Sequence, residues 1–291
     1  MSISAVILSF NACGDLERCI RSLIDVERFE PGRDQILIVD NGSTDGSKGL
    51  IKTLVAEFPA LIEGIDLPAN LGTTVSRNLA LAKAKCDHLL IIDSDIFFER
   101  PVLRKLLVVL ESDPKIGIVA PRLTFPDGRP QMSTDMFPTL PRKLERLFRL
   151  RALERQADPR DGRGGAVDYA ISAFWLMRRA LLRHVGLLDQ RIFYAPEDVD
   201  YGIRTWLAGY RIVFSPELAV IHNAKERSRS WKGLLFTWRH IVGLAYLFRK
   251  HGYLWRAARL YRAIDNLHDA NAITRETGRP APAGGKEWAG G

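Results

Sequence analysis

Apolar residues in the first 120 positions alternate between two patterns. Short continuous runs at Ala5–Phe10, Ile36–Val39, Leu61–Ile65, Leu89–Ile92 and Ile116–Ala120 read as buried strands. Between them lie stretches of helical period. In Asp15–Leu23 the apolar face is Leu16, Cys19, Ile20 and Leu23, with Asn11 and Asp15 available as caps. Ser47–Phe58, Gly72–Ala84 and Pro101–Leu110 follow the same period, the last with proline in its first turn. Four successive β-α units predict an α/β fold: a mostly parallel central sheet with helices on both faces and right-handed crossovers.

Phe125–Gly165 breaks this rhythm. Pro126-Asp127-Gly128 signals a turn, prolines recur at 121, 126, 130, 138 and 141, and a basic amphipathic stretch, Arg142–Arg155, runs on towards glycine-rich Asp161–Gly165. It reads as an excursion from the sheet, either folded over a site or solvated. Val167–Met177 then reads as a strand and Arg179–Val185 as a short helix. Gly186–Ala195 reads as a loop, and Glu197-Asp198-Val199-Asp200 opens a helix running to Ala208, capped by Gly209. Arg211–Phe214 and Leu218–Ile221 read as short strands leading to His222. Trp231–Phe248 and Tyr253–Leu267 read as basic amphipathic helices, and the Gly/Pro/Ala-rich end from Gly278 as disordered.

A chain of 291 residues with 46% hydrophobic content suits one large α/β domain or two small ones. Cys13, Cys19 and Cys86 have no framework spacing, which points to buried thiols in a reducing compartment, and no His/Cys cluster has zinc spacing. Met1–Phe10 lacks a basic leader region and reads as a first strand. Arg239 and His240 interrupt the longest apolar window, Gly233–Phe248, so no membrane-spanning helix is expected. The net charge of +8 is uneven: between Lys225 and Arg262 ten Lys/Arg face one acid, Glu226, while the body outside the basic segments is mildly acidic. That segment, with Trp231, Phe236, Trp238, Tyr246, Phe248, Tyr253 and Trp255 among the arginines, reads either as an interfacial helix on an anionic membrane or as a helical cap with a solvated basic face. No nucleic-acid motif is present.

Candidate chemistry sits at the carboxyl ends of the strands, where such sheets bind ligands. Asn11, Asp40, Asn41, Asp66, Asp93 and Asp95 fall there and outline a crevice suited to a ribose, a metal or both. Asp93-Ser94-Asp95 offers oxygen ligands to a hard divalent cation, or is a polar strand end. Asp40–Asp45 offers a carboxylate and backbone N–H groups to a nucleoside, or is a capped turn. Glu197-Asp198 is a general-base candidate walled by Phe193 and Tyr194, or an acidic helix start. His222 is a third ligand for Mn²⁺ or a satisfied core histidine.

Together these stretches resemble glycosyltransferase family 2, with its GT-A nucleotide-sugar fold. The matching segments are Ala5–Asn11, Ile36–Gly46, Asn70–Asn78, Asp93-Ser94-Asp95, Gly186-Leu187-Leu188-Asp189, Glu197–Asp200 and Ala208–Arg211. Arg239–Gly252 is similar to the C-terminal helix of rhamnosyltransferase-like members. Ser172-Ala173-Phe174 departs from the family's usual glycine-rich entry. The resemblance implies that Phe10 stacks on the donor base, with Asn11, Asp40, Asn41 and Ser94 in the nucleotide site. Arg77 would lie near the base or ribose, and Asp93 would hold the ribose. Asp95 would bind Mn²⁺ or Mg²⁺ and Asp198 would be the base. His222, 24 positions after Asp198, would be a metal ligand as in galactofuranosyl-transferring relatives. Phe193, Tyr194 and Glu197 would line the acceptor pocket.

The implied organisation is a GT-A domain over 1–225, split into a nucleotide-sugar half (1–120) and an acceptor half (121–225). A helical extension over 226–275 and a disordered tail over 276–291 follow. The implied activity is inverting, metal-dependent transfer of a sugar, rhamnose among the candidates, from a nucleotide-diphosphate donor to a saccharide or lipid-linked acceptor. The expected place is cytoplasmic, peripheral on the inner face of the membrane through residues 226–262. A nucleotidyltransferase and a non-catalytic sugar-nucleotide-binding assembly protein are the alternatives.

Overall fold

The computed structural model describes residues 2–145, 164–224 and 232–277. Its strands are β1 (Ile3–Ser9), β2 (Gln35–Asp40), β3 (Ile62–Asp66), β4 (His88–Asp93), β5 (Ile96–Phe97), β6 (Ile116–Thr124), β7 (Thr134–Asp135), β8 (Gly165–Ala166), β9 (Tyr169–Ala170), β10 (Phe174–Arg178) and β11 (Arg211–His222). The helices are α1 (Cys13–Asp25), α2 (Ser47–Glu57), α3 (Thr73–Leu81), α4 (Leu103–Glu111), α5 (Leu181–Val185), α6 (Glu197–Leu207), α7 (Lys232–His251) and α8 (Ala258–Thr277).

The main sheet runs β3-β2-β1-β4-β10-β6-β11-β5, with β8 added to β11; β7 and β9 form a separate pair. Strands β3, β2, β1 and β4 are parallel, as are β6 and β11. The inner strands are apolar on both faces because both are covered. Ala5, Ile7, Leu90 and Ile92 meet α1, α2 and α4, whereas Val6, Leu89 and Ile91 meet α3, α5 and α6.

The departures from expectation lie in the second half. The expected strand Val167–Met177 splits into β9 and β10, and β10 runs antiparallel to both its neighbours, β4 and β6. A buried strand looks the same in either direction, so the apolar run did not carry its polarity. The two short strands before His222 are one strand, β11, whose register with β6 shifts between Ser215 and Ala219. Pro216, which has no N–H to give, falls within that irregular stretch. The second C-terminal helix starts at Ala258 rather than Tyr253, because Tyr253 is buried edge-on against Phe248 in the connecting turn. That helix runs through Thr277, so the first two residues of the expected tail are helical. Residues 146–163, 225–231 and 278–291 lie outside the described residues, with most of the basic stretch after Arg142 and the rest of the tail. A third apolar cluster joins Val199 and Ile203 of α6 to Leu247, Phe248, Leu260 and Ile264 of the C-terminal helices.

Candidate active site

Strand β4 ends at Asp93, and β5 returns two residues later to pair antiparallel with the end of β11, placing His222 opposite Ile96. The Asn223 N–H, donating to the Asp95 carbonyl oxygen at 2.9 Å, fastens the same corner. This pairing brings one ligand atom each of Asp93, Asp95 and His222 within 4.8 Å of one another, the one such group of three found among the described residues. His222 Nε2 lies 3.4 Å from Asp95 Oδ1.

Gln131 settles how the imidazole presents itself. Its Nε2 donates to the His222 carbonyl oxygen at 2.7 Å, so its Oε1 is the atom 2.8 Å from His222 Nδ1. An amide oxygen only accepts, so Nδ1 carries a proton; Nε2 faces the carboxylates, as a protonated donor to Asp95 in the imidazolium and as a free lone pair in the neutral ring. A neutral imidazole with its outer N–H held is the form that binds a metal. Two carboxylates and one imidazole suit Mn²⁺ or Mg²⁺, the nitrogen leaning towards Mn²⁺. Burial and Asp95 both raise Asp93, while the Arg77 charge pulls it down; the net shift is upward. Burial alone would lower His222, but the hydrogen bond and charge of Asp95 outweigh it and raise it.

Arg77 on α3 lies under this cluster, 1% exposed. Its Nη2 donates to Asp93 Oδ1 at 2.6 Å and to the Ser172 carbonyl oxygen at 3.1 Å, while its Nη1 lies 3.5 Å from Glu197 Oε1. Ser172 Oγ donates to the same Glu197 oxygen at 2.8 Å. The guanidinium therefore joins the metal-side carboxylate to the first turn of α6, rather than standing open in the crevice. Glu197 is buried, and that burial, with the adjacent Asp198 charge, raises its pKa well above the carboxylate range. Burial likewise pushes half-buried Asp198 up to about 6, against the Val199 N–H it accepts at 2.8 Å. Two neighbouring carboxyls at different protonation is the pattern of an acid/base site.

On the nucleotide side Asp40 is 2% exposed and Asn41 is 3% exposed. Asp40 Oδ2 accepts from the Ser43 N–H at 2.9 Å, while its Oδ1 is buried with no hydrogen-bond partner. Half-buried Phe10 and Asn11 lie across the same strand ends, and Asn11 Oδ1 accepts from the Thr44 N–H at 2.8 Å. Asn41 uses its whole amide on the chain that opens α3: it donates to Asn70 and Gly72 and accepts from Leu71 and Ser76. Ser94 is buried between the two carboxylates.

The loop before α6 forms the opposite wall. Gly72, at φ +87°, lets the Phe193 carbonyl approach; a Cβ there would meet that oxygen at 2.3 Å. Arg239 of α7 stacks over the Phe193 ring, 3.7 Å from its centre. Partial burial and then the charges of Asp93 and Glu197 raise Tyr194 to about 12, while the residue remains 49% exposed. Gly243 gives α7 the same intimacy with this wall, since a Cβ would lie 2.2 Å from the Ala195 oxygen. Below it, Lys250 Nζ bridges Asp189 and Asp200 at 2.7 Å each. Tyr246 donates to Asp189, and His251 Nε2 lies 2.8 Å from Asp200. Asp189, Asp200 and the Arg239–Gly252 segment are separate stretches of the sequence, and folding joins the two acids to Tyr246, Lys250 and His251 in one clamp. Gln131 carried no signal of its own, and Ser172 only that of a departure from the family's glycine-rich entry.

A profile described as "Glycosyl transferase family 2" matches residues 4–186. The N-acetylglucosaminyl-diphospho-decaprenol L-rhamnosyltransferase of Mycobacterium tuberculosis (strain ATCC 25618 / H37Rv) is 26% identical over 281 residues, covering 88% of this chain and 87% of that protein. Among solved structures, the mannosyltransferase PcManGT from Pyrobaculum calidifontis, in complex with GDP-Man and Mn²⁺, superposes with a TM-score of 0.61 at 17% identity, over 96% of this chain and 76% of that one. GalNAc-T7 with UDP, GalNAc and Mn²⁺ superposes with a TM-score of 0.60 at 15% identity, over 97% and 58% of the two chains.

Proposed function

The chain belongs to glycosyl transferase family 2 and is a GT-A-fold glycosyltransferase using a nucleotide sugar; from that premise we propose that it transfers a sugar with inversion to a hydroxyl of a lipid-linked saccharide, with Asp198 as general base. The observation that carries this reading is the meeting of Asp93, Asp95 and His222 within 4.8 Å, joined through Arg77 to the helix start that bears Asp198.

Asp40, through its unpartnered Oδ1, accepts from the donor base, and Phe10 stacks on it. Asp93 orients the ribose, held in place by Arg77. Asp95 and His222, with Asp93 beside them, would hold the divalent cation. When bound, that cation supplies Lewis-acid stabilisation of the leaving diphosphate. Asp198, its pKa raised towards neutrality, takes the proton of the acceptor hydroxyl as that oxygen attacks the anomeric carbon from the face opposite the diphosphate. Glu197 is held by Ser172 and Arg77 and keeps the α6 start in place. Phe193, half-buried beneath Arg239, lines the acceptor side, with half-exposed Tyr194 at its rim.

The acceptor class follows the mycobacterial relative, whose name specifies a polyprenyl-diphosphate-linked N-acetylglucosamine and an L-rhamnosyl group. Rhamnose is accordingly the first sugar to test. A lipid-linked acceptor sits in a bilayer, so the reading includes an anionic membrane surface as partner, approached through the basic segment 226–262. A nucleotidyltransferase is set aside by family membership, and a non-catalytic binder by the intact carboxylate set. The deciding experiment is a thermal-shift screen of UDP-, dTDP- and GDP-sugars with Mn²⁺ or Mg²⁺, followed by transfer from the stabilising donor to a polyprenyl-diphosphate sugar. Stabilisation by one nucleotide sugar only with metal, and transfer lost in Asp198→Asn, is expected. Metal-independent binding or an active Asp198→Asn enzyme would overturn it.

A further inference from the structure

Helix α7 has two unlike faces. Leu247 and Phe248 are buried against α6 and α8, and Gly243 sits on the Ala195 carbonyl. On the other side Trp238 is 63% exposed, Ile241 51% and Val242 49%, followed by exposed Ala245 and Arg249. Positions 238, 241, 242, 245 and 249 form a single stripe along a helix. Just past the helix Trp255 is again 63% exposed. Scattered apolar residues on a surface are ordinary, but a contiguous stripe of Trp, Ile and Val marks a contact face.

Charge selects the partner. From Trp238 to Arg262 there are six Lys/Arg and no Asp or Glu. Arg249, Arg256, Arg259 and Arg262 are all exposed. A face for a protein would carry mixed polar groups at its rim. Arg249 on the stripe itself, with exposed Trp255, Arg256, Arg259 and Arg262 following it in the chain, matches phosphate head groups above acyl chains; the acids nearest α7, Asp189 and Asp200, are already paired with Lys250. No helix among the described residues is long and apolar enough to cross a membrane, so this helix lies on the surface rather than through it.

We propose that α7 docks in the plane of an anionic membrane through Trp238, Ile241 and Val242, and that this orientation presents the acceptor loop to the interface. The two halves are joined by geometry. Arg239, next to Trp238, stacks on Phe193, and Gly243, next to Val242, touches Ala195. The acceptor wall is thus about one helix diameter, ~10–12 Å, from the inserted side chains. The orientation rests on the reading of a lipid-linked acceptor, whereas the docking is measured without any sugar transfer.

The test is co-sedimentation of the full chain with vesicles of phosphatidylcholine alone or mixed with phosphatidylglycerol. The wild type is expected to pellet with the mixed vesicles and to leave them as salt rises. W238S/I241S/V242S should bind about tenfold or more weakly. Val108→Ser, which removes an apolar side chain 68% exposed on α4, should bind as the wild type does. Transfer to a short, water-soluble acceptor should be unchanged in the triple variant, which shows that it folds, while transfer to a vesicle-borne acceptor falls. Equal binding to neutral vesicles, binding unaffected by the triple substitution, or a concentration-dependent dimer abolished by it would overturn the proposal. A chain that pellets but transfers no sugar refutes the acceptor reading and leaves the docking face. A chain that transfers sugar yet ignores vesicles refutes the docking face alone.

Discussion

Gln131 and His222 hold each other twice, the amide nitrogen on the histidine's carbonyl oxygen and the amide oxygen on its Nδ1. Each bond fixes the sense of the other. The pair therefore sets both the ring plane and the tautomer before any ligand arrives. Gln131→Ala should leave the fold intact and weaken Mn²⁺ binding about 10- to 100-fold, read by the loss of free Mn²⁺ signal in electron paramagnetic resonance. Gln131→Glu keeps the acceptor but loses the donor to the His222 carbonyl, so it should retain part of the affinity. Unchanged metal binding in Gln131→Ala would remove Gln131 from the site.

Asp198 lies at the start of α6 with its pKa raised to about 6 by burial. A base works only when deprotonated, so kcat/KM should rise with pH through about 6 and level off above it. Asp198→Asn should lower kcat about 10²- to 10⁴-fold with donor affinity nearly unchanged, and should abolish that acid limb. An acid limb that persists in a residually active Asp198→Asn enzyme would assign the proton to another group.

Arg77 was read from the sequence as a neighbour of the base or ribose, and the structure places it beneath Asp93 and beside Glu197. Removing one partner of a buried ion cluster leaves uncompensated charge. Arg77→Met should therefore cost about 3–5 kcal/mol of stability in urea unfolding. A variant as stable as the wild type, with only donor binding weakened, would return Arg77 to the nucleoside.

The parts of the site that are local in sequence were legible in sequence. Asp40, Asp93 and Asp95 end apolar runs, and Glu197-Asp198 opens a helical period, so topology alone sends the strand-end acids to one edge. What depends on long-range register was less so. His222 was a ligand candidate from its place after a strand and from the family resemblance, but not the route by which it reaches Asp95: β11 slips against β6 at Ser215–Ala219 and then pairs with β5, a two-residue strand too short to read. Gln131 lies in a proline-rich excursion with no period. Ser172 bridges Arg77 and Glu197 where the family resemblance expected glycine. The direction of β10 was hidden because a strand buried on both faces carries no alternation.

The unpartnered oxygen of Asp40 makes the nucleoside assignment testable. A buried carboxylate oxygen without a donor is costly unless a ligand supplies one. Asp40→Asn keeps the acceptor for the Ser43 N–H but turns the other position into a donor. It should weaken nucleotide binding about 10- to 100-fold, the worth of a hydrogen bond to a charged group, while unfolding of the free protein is little changed. Isothermal titration with the stabilising nucleotide reads this directly, and wild-type affinity would place the base elsewhere.

The clamp under α7 has a pH signature of its own. Burial tends to raise Asp189, but Lys250 and Tyr246 outweigh it and hold the carboxyl well below its usual range. Asp200 is likewise lowered against burial by His251, Arg204 and Lys250. Groups with depressed folded-state values contribute stability that is fully present above the ordinary carboxylate range, about pH 4, and is lost as pH falls through the folded values. Lys250→Met should cost about 1–3 kcal/mol at neutral pH. Asp200 keeps His251 and Arg204 in that variant, so Asp189 bears most of the loss. The gap between variant and wild type should shrink at about pH 3, where the wild-type clamp is itself weakening. Urea unfolding at the two pH values measures it, and an equal gap at both would mean that Lys250 acts through packing of its stem rather than through its charge.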